Sequence, residues 1–104
     1  MALLWDNEDE LSETAESDEL ELVKRLGSAG IERIDANLRK QIASRWYKGA
    51  RILHDAKTDG GFQTSDETAV QLHLRRLIAL VDVNEFEGQG NLYRPCYSEV
   101  RKLQ

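Results

Sequence analysis

The fold follows from residues 64–103, which read TSDETAVQLHLRRLIALVDVNEFEGQGNLYRPCYSEVRKL. The first half of this stretch has the pattern of a capped amphipathic helix. Thr64 and Glu67 form a Thr-x-x-Glu capping box, in which Ser65 is a competing cap. Apolar residues then recur at helical spacing, at Val70, Leu74, Leu77, Ile78 and Val81. We therefore expect one helix that begins at this cap and leads directly into a β-hairpin.

The second half predicts two strands around a glycine turn. Val81–Glu87 is the first strand, Gly88–Gly90 is the turn, and Tyr93–Lys102 is the second strand, which is rich in residues that favour strands. Pro95 has no N–H to donate, so it marks an edge or a bulge. We therefore expect regular pairing from Tyr97 to Lys102.

A shorter helix is expected before this unit. Asp18 and Glu21 are suitable for its start, and Gly27 is a typical stop. Residues 28–30, Ser-Ala-Gly, are then a short connection.

Between these helices, apolar residues recur every three to four positions from Ile34 to Ala56. Residues 35–57 fit either one long helix or two helices that meet near Ser44, because Asp35 and Ser44 are both good caps. We favour two, since a small domain buries more apolar surface when the stripe folds back on itself. Trp46 would then begin the later helix and anchor it.

Length and composition are those of a single small domain. The chain has 104 residues, of which 40% are hydrophobic and 32% charged. It has no apolar run of the length that a membrane helix needs, and its start does not resemble a signal peptide. Cys96 is the only cysteine, so no internal disulfide can form. These features predict a cytoplasmic protein.

The charge is unevenly distributed along the chain. Residues 1–22 hold nine acids and no base, whereas all 14 bases lie in residues 23–104. We expect an acidic, flexible arm over residues 1–17 and a single domain over residues 18–104. A solvated arm is the favoured interpretation. The alternative is an arm that folds back on the basic face and screens it from polyanions.

The expected fold is therefore mainly α with a C-terminal β-hairpin, an α+β arrangement. Helices followed by a hairpin are also the element order of a winged-helix-like domain. This prediction depends on the order of the elements and not on a functional motif.

Two further stretches carry a resemblance to a known family. They are residues 34–56, IDANLRKQIASRWYKGARILHDA, and residues 75–103, RRLIALVDVNEFEGQGNLYRPCYSEVRKL. Over about residues 34–103 the chain resembles a bacterial family known only as a domain of unknown function. Where the family pattern has a helix-ending glycine, this chain has Asp82 or Asn84, both of which tolerate a left-handed conformation. The resemblance implies a fold and no activity.

No residue pattern points to catalysis, a metal or a cofactor. His54 and His73 are the only histidines, and they form no metal-binding spacing with Cys96. Each histidine is more often an ordinary partly buried or surface residue than a general base. The glycine pairs lack the helix and lysine of a phosphate loop. We expect no enzyme, no cofactor and no metal.

The predicted function is therefore that of a non-enzymatic binding module whose partner is another protein or a second copy of the chain. The candidate partner-binding residues are Trp5, Arg75, Arg76 and Tyr93. The disfavoured alternative is a nucleic-acid-binding regulator with an autoinhibitory arm. It would use Arg75 and Arg76 with a basic set that comprises Arg39, Lys40, Arg45, Lys48 and Arg51.

One structural ion pair is also predicted near the C-terminus. Glu99 and Arg101 lie on one face of the last strand, because side chains two apart point the same way. We expect Glu99 to bond Arg76 or Arg101 and so to link the hairpin to the helix.

Overall fold

The computed structural model describes residues 11–12, 14–63 and 66–103. Three helices and a small three-stranded antiparallel sheet form one α+β globule, as the coarse prediction required. The elements in chain order are α1 (Ser17–Gln41), β1 (Tyr47–Lys48), α2 (Gly49–Asp59), α3 (Glu67–Asp82), β2 (Phe86–Gly90), a 3-10 turn (Pro95–Tyr97) and β3 (Ser98–Lys102).

Helix α1 is two helical segments joined at Gly27. The φ of Gly27 is 66° and its ψ is −177°, a combination that is essentially restricted to glycine. The predicted interruption at Gly27 is therefore confirmed, but the chain resumes its helix at once. No separate connection forms over residues 28–30, which are helical.

Residues 35–57 belong to two helices, as favoured. Helix α1 ends at Gln41 and α2 begins at Gly49. Two details of the prediction are wrong. Asp35 is buried inside α1 and is not a cap. Trp46 does not begin α2, because it lies in the extended segment that leads into β1.

Helix α3 begins at a different cap from the predicted one. The side chain of Asp66 accepts a hydrogen bond from the N–H of Ala69 at 3.0 Å, which satisfies one of the unpaired N–H groups of the first turn. Thr64 and Ser65, the predicted caps, lie outside the described residues. The helix continues through Asp82, and Asn84 follows with a φ of 63°. The left-handed conformation predicted as possible for Asn84 is thus present. The predicted start of the first strand at residue 81 is wrong, because α3 continues through Asp82 and β2 begins at Phe86.

The glycines after residue 87 are part of a strand and not of a turn. Strand β2 runs antiparallel to β3, with Phe86 opposite Lys102 and Gly88 opposite Val100. The predicted pairing of the last strand with the segment before Gly88 is confirmed. The connection comes later, over residues 91–97, where buried Pro95 opens the 3-10 turn. Pro95 therefore lies before the strand and is not a bulge within it.

The sheet contains a third strand that the sequence did not predict. Strand β1 pairs with β3, with Tyr47 opposite Val100 and Lys48 opposite Glu99. The strand order is β1-β3-β2, so β3 is central and β2 is an edge. A two-residue strand has no periodicity that a sequence pattern could reveal.

The core lies between the helices and one face of this sheet. Helix α3 contacts both other helices, and its Val70, Leu74 and Leu77 are fully buried. Val100 and Phe86 close the core from the sheet. None of the described helices has the length and apolar composition that crossing a bilayer requires.

Candidate functional site

The two arginines of α3 point at carboxylates of α1. Arg75 forms an ion pair with Glu19, and Arg76 bonds both carboxylate oxygens of Asp35 at 2.9 and 2.8 Å. Glu19 is 1% exposed and Asp35 is 7% exposed, so each carboxylate needs its partner. The hydrogen bonds to Asp35 raise the pKa of Arg76 above its usual value. Both cations therefore serve to hold α3 against α1.

The predicted ion pair of Glu99 is wrong. Arg76 bonds Asp35, as above, and Arg101 donates to Glu87 on β2 at 3.0 Å. Glu99 accepts a hydrogen bond from the side chain of Gln89 at 2.7 Å. The reason is the register, because Arg101 lies directly opposite Glu87, and Glu99 directly opposite Gln89.

The other two candidate partner-binding residues are Trp5 and Tyr93, of which Trp5 lies outside the described residues. Tyr93 is half-buried against the core, and its carbonyl accepts a hydrogen bond from the N–H of Leu11 at 2.9 Å. Leu11 is buried, and the carbonyl of Ser12 accepts a hydrogen bond from Arg75 at 3.1 Å. The described end of the predicted arm thus contacts the domain at both residues.

One face of the sheet is turned away from the core, and we call it the outer sheet face. Alternation along the strands places six side chains there, and they form two rows across the sheet. The rows are Trp46–Arg101–Glu87 and Lys48–Glu99–Gln89.

Contacts join all three side chains of the first row of the outer sheet face and two of the three in the second row. The guanidinium of Arg101 lies 4.3 Å from the ring centre of Trp46 while it donates to Glu87. In the other row Gln89 donates to Glu99, and the ammonium of Lys48 donates to the carbonyl of Cys96 at 3.3 Å. Opposite charges alternate here, so the outer sheet face carries both signs of charge.

The edge of β2 presents unpaired backbone groups. The N–H of Lys102 donates to the carbonyl of Ala43, so the backbone of Lys102 points away from β2. Backbone N–H and C=O groups alternate sides along a strand. Those of Arg101 and Glu99 therefore point toward Glu87 and Gln89 on β2. By the same alternation, the N–H and C=O groups of Phe86 and Gly88 point outward, whereas Gly90, with a φ of 79°, leaves the extended geometry. We call this row of outward groups the β2 edge, and within the described residues no strand pairs with it.

A third surface combines cations with aromatic rings, and we call residues 45–51 the basic-aromatic segment. The guanidinium groups of Arg45 and Arg51 lie 5.2 and 4.4 Å from the ring centre of Tyr47. Arg51 is also within 3.8 Å of Asp55. Of the remaining basic set, Arg39 pairs with Glu85 and Lys40 lies 3.8 Å from Asp59.

The described residues provide no arrangement typical of a catalytic or metal centre. His73 is completely buried, and its Nδ1 donates to the carbonyl of Ala69 at 2.7 Å, which leaves Nε2 without a partner. Burial lowers the pKa of His73, so the ring is kept neutral. No group of three potential metal ligands occurs among these residues. The sequence had treated His73 as a partly buried or surface residue.

No family model, curated protein or solved structure matches the chain. The geometry of the surfaces therefore carries the functional argument.

Sequence reasoning did not identify the carboxylates that pair with the two arginines of α3, and it did not identify the β2 edge. Asp35 offered a signal, because it lies between Ile34 and Leu38 on the apolar stripe of α1. A carboxylate beside buried residues requires a cation, and Arg76 was available. The β2 edge offered none, because the glycines of residues 88–90 are more typical of a turn.

Proposed function

We propose that the chain is a non-enzymatic protein-binding module that associates with a second copy of itself through the β2 edge. The observation that carries the proposal is the outward direction of the N–H and C=O groups at Phe86 and Gly88, which follows from the register of the sheet. Such outward groups are a template for another strand.

The residues of β2 lack the usual protection of an edge. Native edge strands commonly carry lysine or proline, which discourage pairing. Strand β2 reads FEGQG and has neither. Its one charge, Glu87, is bonded to Arg101 within the same sheet. Gly88, Gln89 and Gly90 are exposed, and the side chain of Gln89 is bonded to Glu99 within the same sheet. A strand can therefore approach this edge without displacing charged groups.

A second copy fits this edge because β2 is compatible with its own reverse. In antiparallel pairing centred on Gly88, Gly88 lies opposite Gly88, and Phe86 lies opposite Gly90. The Gly88–Gly88 pair is a hydrogen-bonded pair, since the backbone of Gly88 points outward, and the backbone of Phe86 points toward the other copy as well. Glu87 then faces Gln89 of the other copy, so no like charges meet. The result is a two-fold arrangement in which the two sheets become one.

Two exposed apolar residues lie at one end of this edge. Val83 is 70% exposed and Leu103 is 54% exposed. Phe86 pairs with Lys102, so Val83 and Leu103 are both near the start of β2. Their burial would add an apolar contribution to the backbone pairing. Five-residue strands give a small interface, so we expect a dissociation constant on the order of 100 μM.

Sedimentation equilibrium of the full chain over about 5–500 μM tests this proposal. We expect the average mass to rise from monomer toward dimer. Gly88→Pro removes an outward N–H and should abolish association. Gly88→Ala is the matched control. It adds a similar Cβ, 3.2 Å from Val81 Cγ1, but keeps the N–H and should still associate.

A further variant covers the case in which Gly88→Pro does not fold. Val83→Ser, at a side chain that is 70% exposed in the single copy, removes an apolar contribution at the end of the edge, so dimerisation should weaken while the free energy of unfolding of the monomer stays unchanged. A monomeric mass throughout the range, or equal association of Gly88→Pro and Gly88→Ala, would overturn self-association through this edge.

A winged-helix-like architecture is part of the same proposal. A strand between the first two helices, a helix pair and a closing hairpin with β3 in the centre support it. In such a domain α3 would be the groove reader. Residues 69–80 of α3 include no exposed residue, however, and both arginines are paired with α1. This is why protein binding is preferred to nucleic-acid binding.

Nucleic-acid binding is the second candidate, and the basic-aromatic segment favours it. Cations beside an aromatic ring suit phosphates and stacked bases. Fluorescence anisotropy with a labelled oligonucleotide should then show binding that weakens steeply with salt and strengthens after removal of residues 1–22. Arg45→Gln should weaken it, whereas Arg25→Gln should not. Absence of salt-dependent binding by the shortened chain would eliminate this candidate.

A further inference from the structure

A cavity of about 170 Å³ lies between α1 and the turn that follows α2. The residues that line it are Leu26, Gly30, Arg33, Ile34 and Asn37 from α1, and Gly60 and Phe62 from the turn. None of the lining residues belongs to the sheet, so this cavity is independent of the β2 edge.

The shape of the cavity depends on its glycine wall. A Cβ at Gly60 would lie 3.2 Å from the amide nitrogen of Asn37 and 3.3 Å from the ring of Phe62. The hydrogen bond from the N–H of Phe62 to the carbonyl of Lys57, at 3.1 Å, fixes the turn. The ring of Phe62 also packs edge-on against buried His73, with 5.1 Å between the ring centres. The wall of the cavity is thus held from behind by the core.

The lining is apolar on one side and cationic on the other. Leu26, Ile34 and Phe62 form the apolar side. Arg33 and Asn37 are one helical turn apart, so they lie on the same face of α1. Neither side chain has a hydrogen-bond or ion-pair partner within the described part of the chain, whereas Arg39, Arg75 and Arg76 all bond carboxylates.

We propose that this cavity binds a small molecule with one aromatic ring and a carboxylate. A cavity of about 150 Å³ in another protein holds benzene, so the available volume suits one ring. The ring would lie against Leu26, Ile34 and Phe62. The carboxylate would accept hydrogen bonds from the guanidinium of Arg33 and the amide of Asn37, which are both donors.

The test is a titration of the full-length, isotope-labelled chain with sodium benzoate, followed by amide chemical shifts. Sodium chloride at equal concentration controls for ionic strength. We expect saturable shifts at Gly30, Arg33, Asn37, Gly60 and Phe62, with a dissociation constant on the order of 1 mM for so small a ligand. Benzyl alcohol has the same ring without the charge and should bind at least about fivefold more weakly.

Two charge-matched variants separate a local contact from general electrostatics. Arg33→Gln should weaken benzoate binding to the level of benzyl alcohol. Arg25→Gln removes another exposed cation of α1 that does not line the cavity, and it should change the affinity less than about twofold. The proposal is overturned by shifts that do not saturate by about 50 mM, by equal affinity for benzyl alcohol, or by equal effects of the two substitutions.

Discussion

Burial should decide the strength of two ion pairs that have the same geometry. Each of the two pairs has two hydrogen bonds. Asp35–Arg76 joins α1 to α3, and Arg39–Glu85 joins α1 to the turn between α3 and β2. The side chains of Asp35 and Arg76 are 10% and 33% exposed, whereas those of Glu85 and Arg39 are 36% and 47% exposed. Replacing these residues with alanine, singly and in pairs, gives two double-mutant cycles.

The single substitutions in the buried pair should be unequal. Arg76→Ala leaves the Asp35 carboxylate buried without a cation, and breaking a buried pair in this way costs about 3 kcal/mol. Asp35→Ala leaves Arg76, which still reaches water, so we expect about 1.5 kcal/mol. The coupling energy should be about 1.5–2 kcal/mol for Asp35–Arg76 and below about 0.5 kcal/mol for the exposed pair.

Urea denaturation at pH 7 measures each free energy of unfolding, and unchanged m-values would show that the denatured state is comparable. Salt at about 1 M should remove the coupling of Glu85–Arg39 and leave most of that of Asp35–Arg76. Arg39 is one turn from Asp35, and the charges of the two ion pairs influence each other. Each cycle is therefore measured with the other pair left intact. Equal coupling in both cycles would refute the reasoning, because geometry and not burial would then set the energy.

Three further predictions concern α1, α3 and His73. Asp66→Ala should cost about 1 kcal/mol in urea denaturation, because it removes the acceptor for the N–H of Ala69; no loss would place the cap elsewhere. Gly27→Ala should cost about 1–2 kcal/mol from backbone strain alone, since a Cβ there meets nothing within 4 Å, and an unchanged Tm would contradict the interruption. Burial holds the pKa of His73 below 6.5, so the unfolded chain gains a proton first as the pH falls below 6.5, and stability decreases. His73→Phe should flatten this dependence of the unfolding free energy between about pH 7 and 5, and an unchanged slope would exclude His73 as its source.

The sequence predicted the helices well, because they have strong periodic signals. The stripe from Val70 to Ile78 defined α3, and Gly27 marked a real interruption. The preference for two helices over residues 35–57 was also correct, because the core forms where α1 and α2 pack against each other and against α3. What failed were the boundaries, since Asp66 and not Thr64 or Ser65 is the described cap.

The sheet was less predictable because its signals conflict with local preferences. Gly88 and Gly90 are typical of a turn, yet both lie in β2, where the register with β3 and contacts with the core decide the conformation. The partners of Arg76 and Glu99 depend on which residues lie opposite each other, and a shift of one residue changes every pair. Ion-pair partners therefore could not be obtained from spacing within one strand.

The ion pairs of Arg75 and Arg76 explain why the sheet, and not α3, is the proposed binding surface. A basic helix near the C-terminus suggests a phosphate reader only if its cations are not already neutralised by carboxylates of the fold. Arg75 and Arg76 instead neutralise Glu19 and Asp35, and removing them for a ligand would leave two buried carboxylates unpaired. Backbone pairing at the β2 edge breaks no ion pair. Its outward N–H and C=O groups only exchange hydrogen bonds with water for equivalent hydrogen bonds with another strand. The surface that costs the fold least to occupy is therefore the edge of the sheet.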